Sequence, residues 1–382
     1  MLTVPPKCWP LSTSNEILFN VVAHLVTGDD IDVKTLLNLC RSSRVLLDIA
    51  QPALYTCVRI TEPAVDPLKP LKIFLRTLME RPSLSKETQE LALINDRHLH
   101  FTAQIEAPCT LLERVHELQA DSSIFSKLKT FHLHKKYEQG PVNIKEYIHL
   151  MRYPSFKRFS TENDVPHIIG EPRAINTLTQ SAVELLWCIA PLPTMRQLLD
   201  VCPRLTLFEF VVPDRARYTS MLDVGHEPLV GPQELVEALL KTHSHTLKSL
   251  RLDFHHFYDI SDPDMLEELE QLGETPEDCW MTYSSMRGFE NLTHMTIEFQ
   301  KLVKVHKLPA SLESLNLELC EFADLNKEFL DDLIQLKEKW CPVIESVTVS
   351  GLEKTNEDGR TLTFLGVGYQ LRIQSYQLLI TG

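Results

Sequence analysis

Six short segments of one form, apolar-x-x-apolar-x-apolar, recur along this chain. They are Leu128/Phe131/Leu133, Leu205/Phe208/Phe210, Leu247/Leu250/Leu252, Leu292/Met295/Ile297, Leu312/Leu315/Leu317 and Ile344/Val347/Val349. The last two apolar positions of each alternate with period two, the pattern of a half-buried strand. A weaker instance sits at Leu91/Leu93. Helical patterns lie between them. Gly231-Pro232-Gln233-Glu234 leads into Leu235, Val236, Leu239 and Leu240, with the proline suited to a first turn. Asp262 to Leu272 and Leu325 to Trp340 have the same character. Two junctions share a plan: Cys202-Pro203 precedes Leu205, and Cys341-Pro342 precedes Ile344. Proline there stops a helix and hands the chain to a strand.

A helix-then-strand unit used repeatedly predicts an α/β chain of parallel strands and crossover helices. Such units stack into a solenoid, since none buries its apolar face alone. The gaps between first apolar positions run from 20 residues (Leu292 to Leu312) to 77 (Leu128 to Leu205), which excludes a regular repeat. A generic α/β domain with a parallel sheet is the competing architecture. Asp358-Gly359, between apolar runs, predicts a hairpin that covers the last open strand edge.

The N-terminus has a different period. Thr13-x-x-Glu16 is a capping box, in which hydroxyl and carboxylate each take up a backbone N–H. Ile17, Leu18, Val21, Val22 and Leu25 follow at helical spacing, and Gly28-Asp29-Asp30 ends the helix. A second apolar set, Leu36, Leu37, Leu39 and Cys40, continues through Leu46, Leu47 and Ile49, with Pro52 expected to stop the helical pattern.

Glu16-Ile17-Leu18, the leucine-rich stretch from Leu36 to Arg44 and the closing Gln51-Pro52-Ala53-Leu54-Tyr55 stand in the order of an F-box. The chain resembles a fungal-type F-box protein with a C-terminal leucine-rich-repeat-like domain. The phrases Thr246 to Leu252, Phe289 to Leu292 and Leu308 to Leu315 are similar to the repeat region of such proteins. Thr13-Ser14 replaces the Leu-Pro pair usual in the family, and the linker from Leu25 to Leu36 is longer than usual. The resemblance implies an F-box-like helical subdomain at 1–60 and an irregular leucine-rich-repeat-like solenoid at 61–382. It implies a substrate-recognition subunit of a Skp–cullin–F-box ubiquitin ligase, which docks a Skp-type adaptor and through it a cullin, and holds an unknown target protein. The adaptor side is expected at Ile17, Leu18, Val21, Val22, Leu36, Leu37 and Leu39. Alternation along the strands gives the target-facing candidates His132, Glu209, Arg251, Asp253, Thr296, Glu298, Asn316 and Glu318.

Charge narrows the partners. The formal net charge is −14, whereas nucleic acid and anionic membranes require a basic footprint. The basic run Lys127, Lys129, Lys135 and Lys136 reads as a solvated strand edge. Residues 259–278 carry nine Asp or Glu and no Lys or Arg, and read as an exposed acidic helix and loop. Nine cysteines without a C-x-x-C pair, most within apolar runs, fit reduced, buried thiols. No signal pattern or spanning apolar run is present, so the expected location is cytoplasmic, nuclear or both.

Motifs for chemistry are absent. His98/His100, His132/His134, His243/His245 and His255-His256 lack partners at metal-ligand spacing. There is no G-x-S-x-G, Walker loop or H-E-x-x-H, and Gly366-Val367-Gly368 reads as a turn. No catalytic, cofactor-binding or metal-binding residue is assigned. Two other readings remain: a repeat-like interaction scaffold that engages no ligase, and an α/β enzyme, whose mark would be a deep pocket of converging polar groups.

Overall fold

A computed structural model of the chain describes residues 15–25, 32–61, 69–95, 125–135, 142–143, 153–162, 168–169, 181–186, 190–212, 230–254, 283–298, 305–320, 335–351, 369–374 and 377–381. Three short helices come first: α1 (Asn15–His24), α2 (Val33–Ser42) and α3 (Arg44–Leu54). Asp32 caps α2 by accepting the Thr35 N–H at 2.9 Å, and this bond holds its carboxyl below the usual carboxylate range. Ser43 separates α2 from α3, and its hydroxyl accepts the Leu46 N–H at 3.1 Å. Pro52 does not end the helical pattern where expected. It sits in the last turn of α3, which runs on to Leu54. A proline so near the C-terminus forfeits a single N–H bond, and the chain leaves the helix two residues later. Val22, Leu36, Ile49 and Ala50 form the core of this subdomain.

The rest is organised by one sheet of twelve strands. In spatial order they are β1 (Cys57–Thr61), β2 (Glu90–Asn95), β3 (Thr130–Lys135), β5 (Arg158–Glu162), β7 (Ala182–Leu186), β8 (Leu207–Val211), β9 (Ser249–Asp253), β10 (His294–Glu298), β11 (Ser314–Cys320), β12 (Ser346–Gly351), β13 (Tyr369–Gln374) and β14 (Gln377–Thr381). The first ten pair in parallel, each with its predecessor in the chain. The last two are antiparallel. Strands β4 (Val142–Asn143) and β6 (Ile168–Ile169) form a separate pair. The fold is therefore α/β with a ten-strand parallel run, solenoid-like in its strictly sequential order. A boundary at residue 60 would cut β1, so the sheet begins at Cys57.

The 77-residue gap of the sequence pattern contains two further strands, β5 and β7. Successive strands are then offset by 20 residues (Met295 to Leu315) to 45 (Leu250 to Met295). The connectors are α4 (Lys69–Glu80), α5 (Pro82–Ser85), α6 (Leu192–Val201) and α7 (Pro232–His243), with a π-helical turn at Leu336–Trp340. Helix α7 starts as its sequence predicts, with Gly231 outside and Pro232 in the first turn. The capping-box Thr13, Gly28-Asp29-Asp30, the 259–278 stretch and Asp358-Gly359 lie outside the described residues.

Strand alternation sorts the sheet into two faces. One carries Leu91, Phe131, Phe159, Val183, Phe208, Leu250, Met295, Leu315 and Val347 in a single register row. These side chains share one core with Phe74 and Leu78 of α4, Met195 and Leu198 of α6, and Leu235 and Leu239 of α7. Parallel strands added always on the same side, through right-handed crossovers, put their connectors on one face. The opposite face is left to the alternate, polar positions.

Each unit is locked to the one before it. Just before each strand an N–H reaches back to the preceding unit's carbonyl: Gln89 to Thr56, Lys129 to Gln89, Lys157 to Lys129, Ser181 to Lys157, Thr206 to Ser181, Lys248 to Thr206, Thr293 to Lys248, Glu313 to Thr293 and Glu345 to Glu313. The ladder is unbroken from Thr56 to Glu345. The buried His243 joins the outer layer: its Nε2 lies 3.1 Å from the Leu199 carbonyl of α6, and its Nδ1 3.4 Å from the Thr246 hydroxyl. Burial keeps this imidazole below its ordinary value, so the neutral ring donates from Nε2 and accepts at Nδ1.

Candidate functional site

The polar face of the sheet has a row of side chains in register. It runs Arg59, Ala92, His132, Ser160, Glu184, Glu209, Arg251, Thr296, Asn316, Thr348 from β1 to β12. Five of the sequence-derived target candidates fall in it: His132, Glu209, Arg251, Thr296 and Asn316. Asp253 and Glu318 stand two residues further along their strands.

Glu298 is the exception. It is buried, at 2% exposure, and its carboxylate accepts from the Tyr283 hydroxyl and the Phe254 N–H. Alternation placed it on the open face, but the segment at Tyr283 folds over that end of β10. Its carboxylate ties the exits of two neighbouring strands together instead of facing a partner.

Ion pairs cross the strands diagonally. Arg158 on β5 reaches Glu184 on β7 at 3.0 Å, and Arg251 on β9 reaches over β10 to Glu318 on β11 at 3.3 Å. His132 Nε2 lies 3.9 Å from Glu90. Burial holds that imidazole below its ordinary value despite the nearby carboxylate. Glu184 and Glu209 are register partners on adjacent strands. Like charges placed so are mutually destabilising. Burial first, then Glu184, pushes the Glu209 carboxyl above the usual range. Arg158, Glu184 and Glu90 were missed in the sequence. Strands β5 and β7 break the apolar pattern at one position each, and Glu90 opens the weakly patterned β2.

The basic run is engaged within the fold where it is described. Lys127 pairs with Glu87 at 2.9 Å, and Lys129 donates to the Gln89 side chain at 3.0 Å. Among the described residues, no three His, Cys, Asp or Glu side chains converge as a metal site. Described cysteines are free thiols, with burial pushing Cys57 up to about 11 and Cys341 up to about 12. A cavity of about 260 Å³ opens between α6 and α7, lined by Arg196, Asp200, Glu237, Lys241 and Thr242, away from the polar sheet face.

The second candidate surface is the helical subdomain. The expected adaptor-facing set divides in three. Ile17, Val21 and Leu37 are exposed, at 54%, 48% and 41%. Leu18 and Leu39 are partly buried against the subdomain core. Val22 and Leu36 are interior, so they build the surface without presenting themselves on it. Phe19, Val33 and Val45 are exposed apolar residues that sequence reading passed over. A search along the helix for faces would have found Phe19, which lies outside the core-facing stripe. No described helix is long and apolar enough to cross a membrane. Comparison with models of known families and with curated proteins finds no match.

Proposed function

We propose that this chain is the substrate-recognition subunit of a Skp–cullin–F-box ubiquitin ligase. Its N-terminal helices act as an F-box that docks the Skp-type adaptor, and its sheet acts as a leucine-rich-repeat-like receptor for a target protein. One observation carries the reading. Of the large apolar side chains exposed among the described residues, Ile17, Phe19, Val21, Val33, Leu37 and Val45 all lie on or beside three short helices at one end of the sheet. Clustered apolar exposure marks an interaction site, and a helix laid into an apolar groove is a standard way to cover it. The receptor needs no acid, base or nucleophile of its own. It raises the effective concentration of the target beside a ubiquitin-charged enzyme.

The test is co-purification of the full chain with the adaptor, comparing wild type with Ile17→Asp/Leu37→Asp. Both side chains are exposed, so the fold is expected to survive, with stability changed by less than about 0.5 kcal/mol. Wild type is expected to retain the adaptor and the variant to lose it. A wild type that binds no adaptor removes the ligase and leaves an interaction scaffold, the reading that Thr13-Ser14 in place of Leu-Pro favours.

A further inference from the structure

The polar sheet face has an uneven ground. Glu184 on β7 is flanked along its strand by Ala182 and Leu186, and Glu209 on β8 by Leu207 and Val211. By alternation these four neighbours share the carboxylates' face. They make an apolar floor, on which two acids stand side by side in mid-sheet. The cations nearby are committed elsewhere. Arg158 is spent on Glu184 at 3.0 Å, and Arg251 turns away to Glu318 at 3.3 Å. Glu209 is left without an ion-pair partner among the described residues, beside a like charge and half-buried.

An apolar floor around an acidic head group has a chemical complement. Arginine and lysine lay aliphatic stems on apolar surface and deliver a cation at the tip. Arginine adds a planar fork of donors able to span two carboxylates. A phosphorylated or acidic segment would meet Glu184 and Glu209 with like charge. The neutral end of the same face, Thr296, Asn316 and Thr348 on β10 to β12, offers hydrogen bonds without charge.

We propose that the target is held through a segment that presents an arginine or lysine side chain to Glu184 and Glu209, its stem lying on Leu186, Leu207 and Val211. This rests on the receptor reading above, for which it names the recognised chemistry. The partner is a protein segment with an exposed basic side chain.

The experiment is selection of a random displayed peptide library on the immobilised full-length chain, followed by titration of the selected peptide. Enrichment of Arg or Lys at one position is expected. Replacing that residue by citrulline or acetyl-lysine, which removes the charge and keeps most of the stem, is expected to weaken binding roughly ten-fold or more. Glu209→Gln, nearly isosteric, is expected to weaken it by a similar factor without loss of thermal stability, and Glu209→Arg to redirect selection to acidic peptides. Enrichment of acidic or uncharged peptides, no enrichment, or equal affinity for wild type and Glu209→Gln overturns the proposal. Adaptor co-purification is scored separately. Adaptor binding with no basic preference removes only this proposal, whereas a basic preference without adaptor binding removes the ligase and keeps the site.

Discussion

The helices and the sheet handle apolar residues in opposite ways. The sheet turns its apolar rows inward under α4 to α7 and gives water its polar positions. The three N-terminal helices bury Val22, Leu36, Ile49 and Ala50 and leave a larger set of apolar side chains outside. The sheet is completed by its own chain. The helices form a core too small to use their own apolar residues, and surface of that kind is what a partner covers. The two regions meet at Tyr55, which stacks on Phe74 of α4 with centroids 6.1 Å apart, and at Arg81, which donates to the Gln51 side chain at 3.0 Å.

Core truncations break the comparison most directly. Phe208→Ala opens a cavity beneath the middle of the sheet and is expected to cost about 3–5 kcal/mol, read as a lowered denaturant midpoint for the sheet. Leu36→Ala is expected to cost about 2–5 kcal/mol, but within its own subdomain. Hydrogen exchange should quicken in α1 to α3 while β8 to β11 keep their protection. Uniform quickening would show that the two regions fold as one unit.

A smaller effect with the opposite sign is expected at Thr161. Its hydroxyl is buried in the apolar row of β5 without a hydrogen-bond partner among the described residues. Thr161→Val is expected to raise stability by about 1 kcal/mol, read as a higher denaturant midpoint.

The smallest effects are slopes against pH. The neutral His243 resists the proton that the unfolded chain accepts, since burial lowers its folded value. Its contribution is whole above the unfolded value of about 6.5, and is lost as pH falls below it towards the folded value. Wild type is therefore expected to lose more stability than His243→Gln between about pH 7 and pH 5. Glu209 has the reverse sign, because its folded value is raised. Its contribution is whole at low pH and is lost as pH rises through the folded value, so Glu209→Gln should gain on wild type as pH rises across that range.

Most of the sheet was legible because burial on one face forces period two, and eight of its ten parallel strands carry that mark strongly enough or sit beside it. Strand β5 hid because its last inward position is Thr161 in place of an apolar residue. Strand β7 hid because Gln180 occupies the place where other units carry an apolar turn residue. The turn before β8 was readable from Cys202-Pro203, whose carbonyl at Cys202 accepts the Leu205 N–H at 3.1 Å, and the Cys341 turn repeats it at 3.0 Å. The division of α2 from α3 was written in Ser43, an N-cap before an apolar run. Glu298 was unreadable for another reason: alternation gives a face, but what folds over that face comes from a segment remote in sequence.

The unbroken ladder from Thr56 to Glu345 makes the sheet a ruler. Strand neighbours stand about 4.8 Å apart, so the five steps from β1 to β8 place Glu209 on the order of 24 Å from the strand that follows the docking helices. Inserting or deleting one unit between them would shift whatever is held there by one graduation, near 5 Å, while leaving both ends chemically unchanged. Reach, in such a molecule, is inherited as a count of strands.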